Sequence, residues 1–451
     1  RGRARLTSGR VGPRRGPADI VPPVSGPVVR IVETVVPARL GRDFRWVFAA
    51  SIVTNIGDGI ALAAGPLLVA SETQDPFLVS LAVLAGYLPH LVFGLFAGVI
   101  ADRHDRRRIV AGVNLLRAVV VGALTAMIVF DVANIALILA TLFVLGTAET
   151  FADAASSTLI PSLVPREDLG LANARQQGAT VLLNNLATPP IGAFLFAVGM
   201  ALPFGVNAVG FALGAVLVSR IAASTRAERP DSPSHVGQEI AEGVRWLVQH
   251  PPMRTLALTI LVFNVTFGAA WSVLVLYSAQ RLGMDAVGFG LLTTATAVGG
   301  IAGTVAYGRL ERRFAPATLM RVGLLIETAT HLVLALTTSA PVALAMLVVF
   351  GAHEFVWGTL STVVRQRAVP DALMGRVGSV YRIAIMGGIV VGTPIGGLLA
   401  RQFGITAPFW FGFAGSALLV ALLWRQFGHI AHAGDAPPAP PGRTGSAQSV
   451  P

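Results

Sequence analysis

Apolar residues come in long runs separated by short polar breaks along most of the chain. The runs occupy 45–70, 77–100, 109–130, 133–160, 171–198, 201–220, 253–280, 287–309, 317–337, 341–364, 376–400 and 405–427. A helix needs about 20 mostly apolar residues to cross the hydrocarbon core of a bilayer. Strands of a membrane barrel are about 10 residues long and alternate strictly, which these runs do not. The pattern predicts an all-α polytopic membrane protein with twelve transmembrane helices.

Composition agrees with that pattern and narrows the chemistry. The chain is 54% hydrophobic and 13% charged, with a mean hydropathy of +0.69, against about 25% charged in ordinary soluble domains. A soluble enzyme is thereby excluded. There is no cysteine, and all 34 basic residues are arginine, a bias that a GC-rich genome explains. Disulfides, thiolate nucleophiles, thiolate metal sites, lysine Schiff bases and phosphate-loop lysines are all ruled out. Histidine is scattered and forms no H-E-x-x-H motif, so neither a metal nor a cofactor is expected. The +11 net charge could suggest a nucleic-acid partner. The arginines, however, sit in the first tail and in alternate connections, and no nucleic acid is expected.

That distribution sets the topology. One set of connections carries Arg103, Arg106, Arg107 and Arg108, then Arg166, then Arg226, Arg229 and Arg245, then Arg309, Arg312 and Arg313, then Arg365 and Arg367. The other set carries little beyond Arg281 and Arg401. Arginine-rich connections stay in the cytosol, which predicts an inner-membrane protein with both termini cytosolic.

Five segments follow. Ten arginines lie between Arg1 and Arg45; residues 1–43 lack the apolar core of a signal peptide and read as a disordered basic tail. Residues 44–221 hold six spans, 222–252 a cytosolic linker, 253–427 six more spans, and 428–451 a second disordered tail. Within the linker, Val236, Ile240, Val244, Leu247 and Val248 fall at helical spacing, as in an amphipathic helix lying on a membrane surface. The halves are weakly alike. VPREDLG at 164–170 aligns with VPDALMG at 369–375, an offset of 205 residues that also places Glu149 on Glu354 and Thr188-Pro189 on Thr393-Pro394. A duplicated six-helix bundle gives such a period.

The sharpest motif is Gly98-Val-Ile-Ala-Asp102-Arg103-His104-Asp105-Arg106-Arg107-Arg108, between spans two and three. Gly98 suits close helix approach. Asp102 and Asp105 can accept hydrogen bonds from Arg103, Arg106 and Arg107, making the loop a candidate latch between two conformations. The bland alternative is an arginine cluster that only sets topology. The segment resembles the cytoplasmic loop signature of the major facilitator superfamily, G-x-L-A-D-R-x-G-R-R, with Asp105 at the second glycine. NIGDGIALAAGPLLVA (55–70), GTAETFADAASSTLIPSLVP (146–165) and EGVRWLVQHPPMR (242–254) are similar to its macrolide-efflux and enterobactin-exporter-like branch. The resemblance covers about residues 44–427. It implies two pseudo-symmetric six-helix bundles around a cavity lined by spans one, four, seven and ten, with alternating access and export coupled to proton entry. Two departures stand out. The antiporter signature of span five is reduced to LATPPIGA (186–193), and its better copy, GIVVGTPIGG (388–397), lies on span eleven. Span four carries Glu149 and Asp153 where many proton-linked exporters carry an arginine.

Charges within spans are costly and are functional candidates by default. Asp58 either binds protons or substrate, or pairs with Arg117 on span three. Glu149 and Asp153, four residues apart, share a helix face, and one of them is a candidate proton carrier. Glu354, beside His353 on span ten, is a further cavity candidate. Glu327 and His331 on span nine read as a structural pair. Asn264, Phe267 and Trp271 are candidates for substrate contact, the alternatives being interhelical glue for Asn264 and core or lipid-facing packing for the rings. Pro189, Pro190 and Pro394 should bend their spans. The function this suggests is a monomeric exporter of lipophilic small molecules, drug or macrolide-like, in exchange for protons. A siderophore or other metabolite exporter and a non-transporting sensor are the alternatives.

Overall fold

A computed structural model describes residues 36–222 and 236–431. The expected tails before 36 and after 431, and linker residues 223–235, lie outside them. The described residues form helices and no strand. Span one is Gly41–Glu72, span two Pro76–Arg103, span three Arg106–Val129 and span four Ile135–Leu163. Span five is Leu169–Ala179, a π-helical stretch Thr180–Ala187, and Thr188–Val198; span six is Leu202–Ser219. Span seven is Pro251–Trp271 followed by a short helix Leu274–Gln280, and span eight is Ala286–Arg313. Spans nine to twelve are Pro316–Leu336, Ala340–Ala368, Met374–Phe403 and Ala407–Leu423. Eleven are long and apolar enough to cross a bilayer, and the twelfth is shorter.

The polar breaks supply the helix starts. Asp75, Asp105, Asn134 and Asp285 each cap a span by accepting a hydrogen bond from a first-turn backbone N–H. Two boundaries differ from the hydropathy reading. Span one begins at Gly41, inside the segment expected to be tail, and Leu40 and Phe44 are buried against Leu159 and Val218. At the other end, Gln426–Ala431 is helical, with Phe427 and Ile430 packed beside Met253 and Met320. Both stretches carry too few apolar residues to register as spans, but those residues fall on one face.

The halves repeat one neighbour pattern. In the first, spans one and five, two and four, three and six, and one and six pack together. In the second, the same holds for seven and eleven, eight and ten, nine and twelve, and seven and twelve. Spans two and eleven join the halves, as do eight and five. Adding six to a span number exchanges these two junctions, which is the signature of a pseudo-twofold axis. Lipid offers helices no hydrophobic drive to associate, so small residues that permit close packing carry the interfaces. A Cβ at Gly392 of span eleven would overlap the Val265 carbonyl of span seven, and one at Gly351 of span ten would overlap the Thr296 carbonyl of span eight.

The junctions seal one end. At the arginine-poor face, Gln280 donates to Gln74 at 3.2 Å and Arg401 lies 3.6 Å from Asp75. Gly397 sits on Ser80 and Phe77, and Gly290 on Ala193. The two arginines that broke the charge bias therefore have local uses. Arg401 pairs across the seal, and Arg281 donates to the last carbonyls of span nine, Leu336 and Thr337, each at 3.0 Å.

Span five answers its prolines with a π-helical stretch. Pro189 and Pro190 supply no N–H, and the helix widens before them; the Thr188 N–H reaches Leu183 O, five residues back, and its hydroxyl donates there too at 2.7 Å. Pro394, by contrast, stays inside one continuous helix. The amphipathic helix forms at Val236–Gln249. Glu242 pairs with Arg376 at 2.8 Å and Gly243 rests on the Arg376 carbonyl, which ties the helix to the start of span eleven. Leu247 is buried while Val244 and Val248 face outward, as a helix at a membrane surface requires.

Gly392→Leu should cost about 1–3 kcal/mol through overpacking and lower Tm in detergent. Gly112→Leu, where a side chain meets open space, should leave Tm unchanged.

Candidate functional site

Between the halves lies a cavity of about 1010 Å³. Its wall is largely apolar and includes Tyr87 of span two, Phe267 and Trp271 of span seven, and Glu354, Phe355 and Gln366 of span ten. Gln366 is two residues from the arginine-rich end of its span, so the cavity runs from the seal toward that face. Phe267 and Trp271 stack with ring centres 4.5 Å apart, and Phe350 backs them at 6.2 and 4.7 Å. The one-turn spacing along span seven places both rings on one face, where they form a flat wall.

Asn264, expected beside them, is placed differently. Its Nδ2 donates to Ile260 O at 2.8 Å, and Gly388 of span eleven packs onto its Cβ. It belongs to the interface of spans seven and eleven and is not part of the cavity wall.

The carboxylates separate into distinct environments. Asp58 accepts a hydrogen bond from Arg117 Nη2 at 2.8 Å. The Arg117 side chain is 7% exposed and lies over the Phe211 ring at 4.0 Å. Glu149 stands 3.9 Å from the same guanidinium, while Asp153, 71% exposed, lies 3.9 Å from His90 Nε2. One arginine thus serves Asp58 closely and Glu149 loosely. The basic group missing from span four comes instead from span three. Of the four expected acids, Glu354 lines the cavity, and Asp58, Glu149 and Asp153 form a cluster in the first half. Tyr87 is close enough to Glu149 and Glu354 to feel both charges, and Arg382 of span eleven acts on Asp153 across the halves. Tyr87, His90 and Arg382 were not expected here. A lone polar side chain in an apolar run carries no local sign of which neighbour it meets.

The loop motif forms ties within its own half. Asp105 caps span three by accepting from Arg107 N at 3.1 Å, which explains an acid where the superfamily signature has glycine. Arg106 donates to Thr158 O at 3.1 Å, and Arg107 donates to Ile221 O. Asp102 is half-exposed, 4.0 Å from Arg106, and Arg103 is exposed. A Cβ at Gly98 would meet nothing, so the close approach expected there is not made in this conformation. The halves are joined at the opposite face, and at this end of span two Ala101 is buried within its own half, in a cluster with Leu159 and Ile160 of span four. A buried group that the sequence reading set aside as a pair proves larger: Glu327 lies 3.7 Å from His331 Nδ1 and 3.6 Å from His353 Nε2.

Residues 34–436 match the family of transmembrane secretion effectors. The chain is 28% identical over 381 residues to the multidrug efflux pump Tap of Mycolicibacterium fortuitum, covering 80% of this chain and 90% of Tap. It is 26% identical over 407 residues to the enterobactin exporter EntS of Citrobacter koseri, covering 88% of this chain and 95% of EntS. Among solved structures, the nucleoside transporter NupG shares the fold with a TM-score of 0.70 at 10% identity, covering 86% of this chain and 100% of NupG.

Asp58→Asn should leave the Arg117 guanidinium buried and poorly paired, at a cost of about 3–5 kcal/mol. Tm and yield in detergent should fall, and the double variant Asp58→Asn with Arg117→Gln should recover much of the loss.

Proposed function

The chain belongs to the transmembrane secretion effector family of major facilitator superfamily transporters, and on that premise we propose that it is a secondary active exporter of lipophilic small molecules, drug or macrolide-like, working by proton antiport. The observation that carries this reading is the cavity: about 1010 Å³, walled by Phe267 and Trp271 and holding Glu354. Sites for drug-sized ligands are concave, mostly apolar and about 300–1,000 Å³, with a few polar groups. The protein is a multi-pass membrane protein. The arginine bias supports an inner-membrane placement with both termini cytosolic, and the protein works as a monomer.

With the arginine-rich face in the cytosol, the seal at Asp75–Arg401 and Gln74–Gln280 is the outer one and the conformation is inward-facing. Substrate enters between the halves and settles against the aromatic wall. Glu149 and Asp153 exchange the proton, because Arg117 is committed to Asp58 and compensates them incompletely. Closing the cytosolic side brings the open end of span two, at Gly98, against the other half, and the Asp102–Arg103 and Asp105–Arg106–Arg107 loop latches it. A second reading, export of a siderophore, is supported by the likeness to EntS over 95% of its length.

The deciding measurement is accumulation of a lipophilic dye such as ethidium in pump-deficient cells, with and without an uncoupler. Export that the uncoupler abolishes supports antiport, and export indifferent to it overturns antiport. Glu149→Gln should keep expression and lose gradient-driven export by about tenfold or more, and normal export would remove Glu149 from that role. Gly98→Leu should keep Tm but stall transport by blocking closure, and an active Gly98→Leu protein would remove the latch.

A further inference from the structure

Span nine carries a group that the cycle above does not use. Glu327 is fully buried, and its two carboxylate oxygens face separate imidazoles, His331 one turn along its own helix and His353 on span ten. All three side chains are 0–1% exposed. Both Glu327 oxygens and both ring nitrogens of each histidine lack a hydrogen-bond partner among the described residues. The pocket is built for the rings. A Cβ at Gly323 would come within 2.9 Å of His353 Nδ1, and one at Gly412 of span twelve would overlap the His331 ring.

The pocket abuts the cavity wall. Trp271, which lines the cavity, lies 6.2 Å from the His331 ring and 4.7 Å from Phe350, and Phe350 lies 6.1 Å from His353. On span ten, His353 turns into the pocket, while its neighbour Glu354 turns into the cavity. Glu354 and Glu327 are close enough to feel each other's charge. The other elements packed on span nine add little charge at this depth. Span twelve has no titratable residue, and span seven has only Arg254 near its start. Span eight places Tyr307, Arg309, Glu311, Arg312 and Arg313 in its last turns, the helix after span seven contributes Tyr277, bonded to Leu334 O, and the final helix carries His429.

A carboxylate alone in such a pocket is strongly disfavoured. One proton makes the Glu–His–His group neutral. A second makes it a cation, which an ionised Glu354 beside it balances. A positively charged ligand at Glu354 would replace that second charge, and the proton would leave. We propose that Glu327, His331 and His353 form a proton-holding site that gives up its proton when a lipophilic cation occupies the cavity at Glu354. The proposal rests on the antiport reading, narrows the cargo to cations, and adds to the acids of the first half a second coupling proton held in the second half.

The test uses the full-length protein in proteoliposomes. Infrared difference spectra across about pH 5–9 should contain a carboxylic-acid or imidazolium band that disappears in Glu327→Gln and in His353→Gln, with Tm checked for each variant. Adding ethidium in weak buffer should release protons from the wild type and not from Glu327→Gln. That variant should keep downhill ethidium flux and lose gradient-driven uptake by about tenfold or more. A band unchanged in both variants, or proton release unchanged in Glu327→Gln, overturns the site. If wild-type transport ignores the pH gradient, the antiport reading falls. If wild type and Glu327→Gln are equally gradient-driven, only the assignment to this cluster falls.

Discussion

A charge or hydrogen-bonding group inside a bilayer must find its partner within the protein, because the hydrocarbon core offers no water to solvate it. Much of this structure follows from that constraint. The backbone is helical through the membrane, and where Pro189 and Pro190 withhold N–H groups the helix widens and uses the carbonyl five residues back. Two groups of intramembrane charges meet that constraint with partners of their own, Asp58–Arg117–Glu149 in one half and Glu327–His331–His353 in the other, while Glu354 faces the cavity.

The same solvent removes the usual drive for helices to associate, so shape takes its place. Glycines of span eleven sit on the backbone of span seven, and Gly351 sits on that of span eight. Among the described residues the halves meet chiefly at the junctions of two with eleven and eight with five, with smaller contacts of span one to span eight and to the helix after span seven. That is a suitable construction for rocking. Polar ties across the seal are few, an ion pair at 3.6 Å and an amide hydrogen bond at 3.2 Å beside close glycine approaches.

The two charge groups differ in how they meet the cavity. In the first half the acids outnumber the arginine beside them and are partly exposed, so proton exchange there needs no rearrangement of packing. In the second half the group is shut behind Trp271 and Phe350 and communicates with the cavity through adjacent residues on one helix, His353 and Glu354. Pseudo-symmetry relates Glu149 to Glu354 in sequence, yet one lies in an ion cluster and the other in the cavity wall.

Much was legible along the chain. The hydrophobic runs located the spans, Asp105 and its counterparts marked helix starts, and the loop motif pointed to the superfamily. These are local properties: a bilayer and a helix terminus respond to a short window of sequence. The placement of side chains was not legible in the same way. Asn264 and Phe267 lie one turn apart, yet the amide is folded back at an interface and the ring faces the cavity. Glu327 and His331 were recognisable as a pair by spacing, whereas His353 joins them from another span. Which way a side chain faces depends on the rotation of its helix and on which helices stand beside it. Those are set by packing between residues far apart in the chain, so only the tertiary structure decided them.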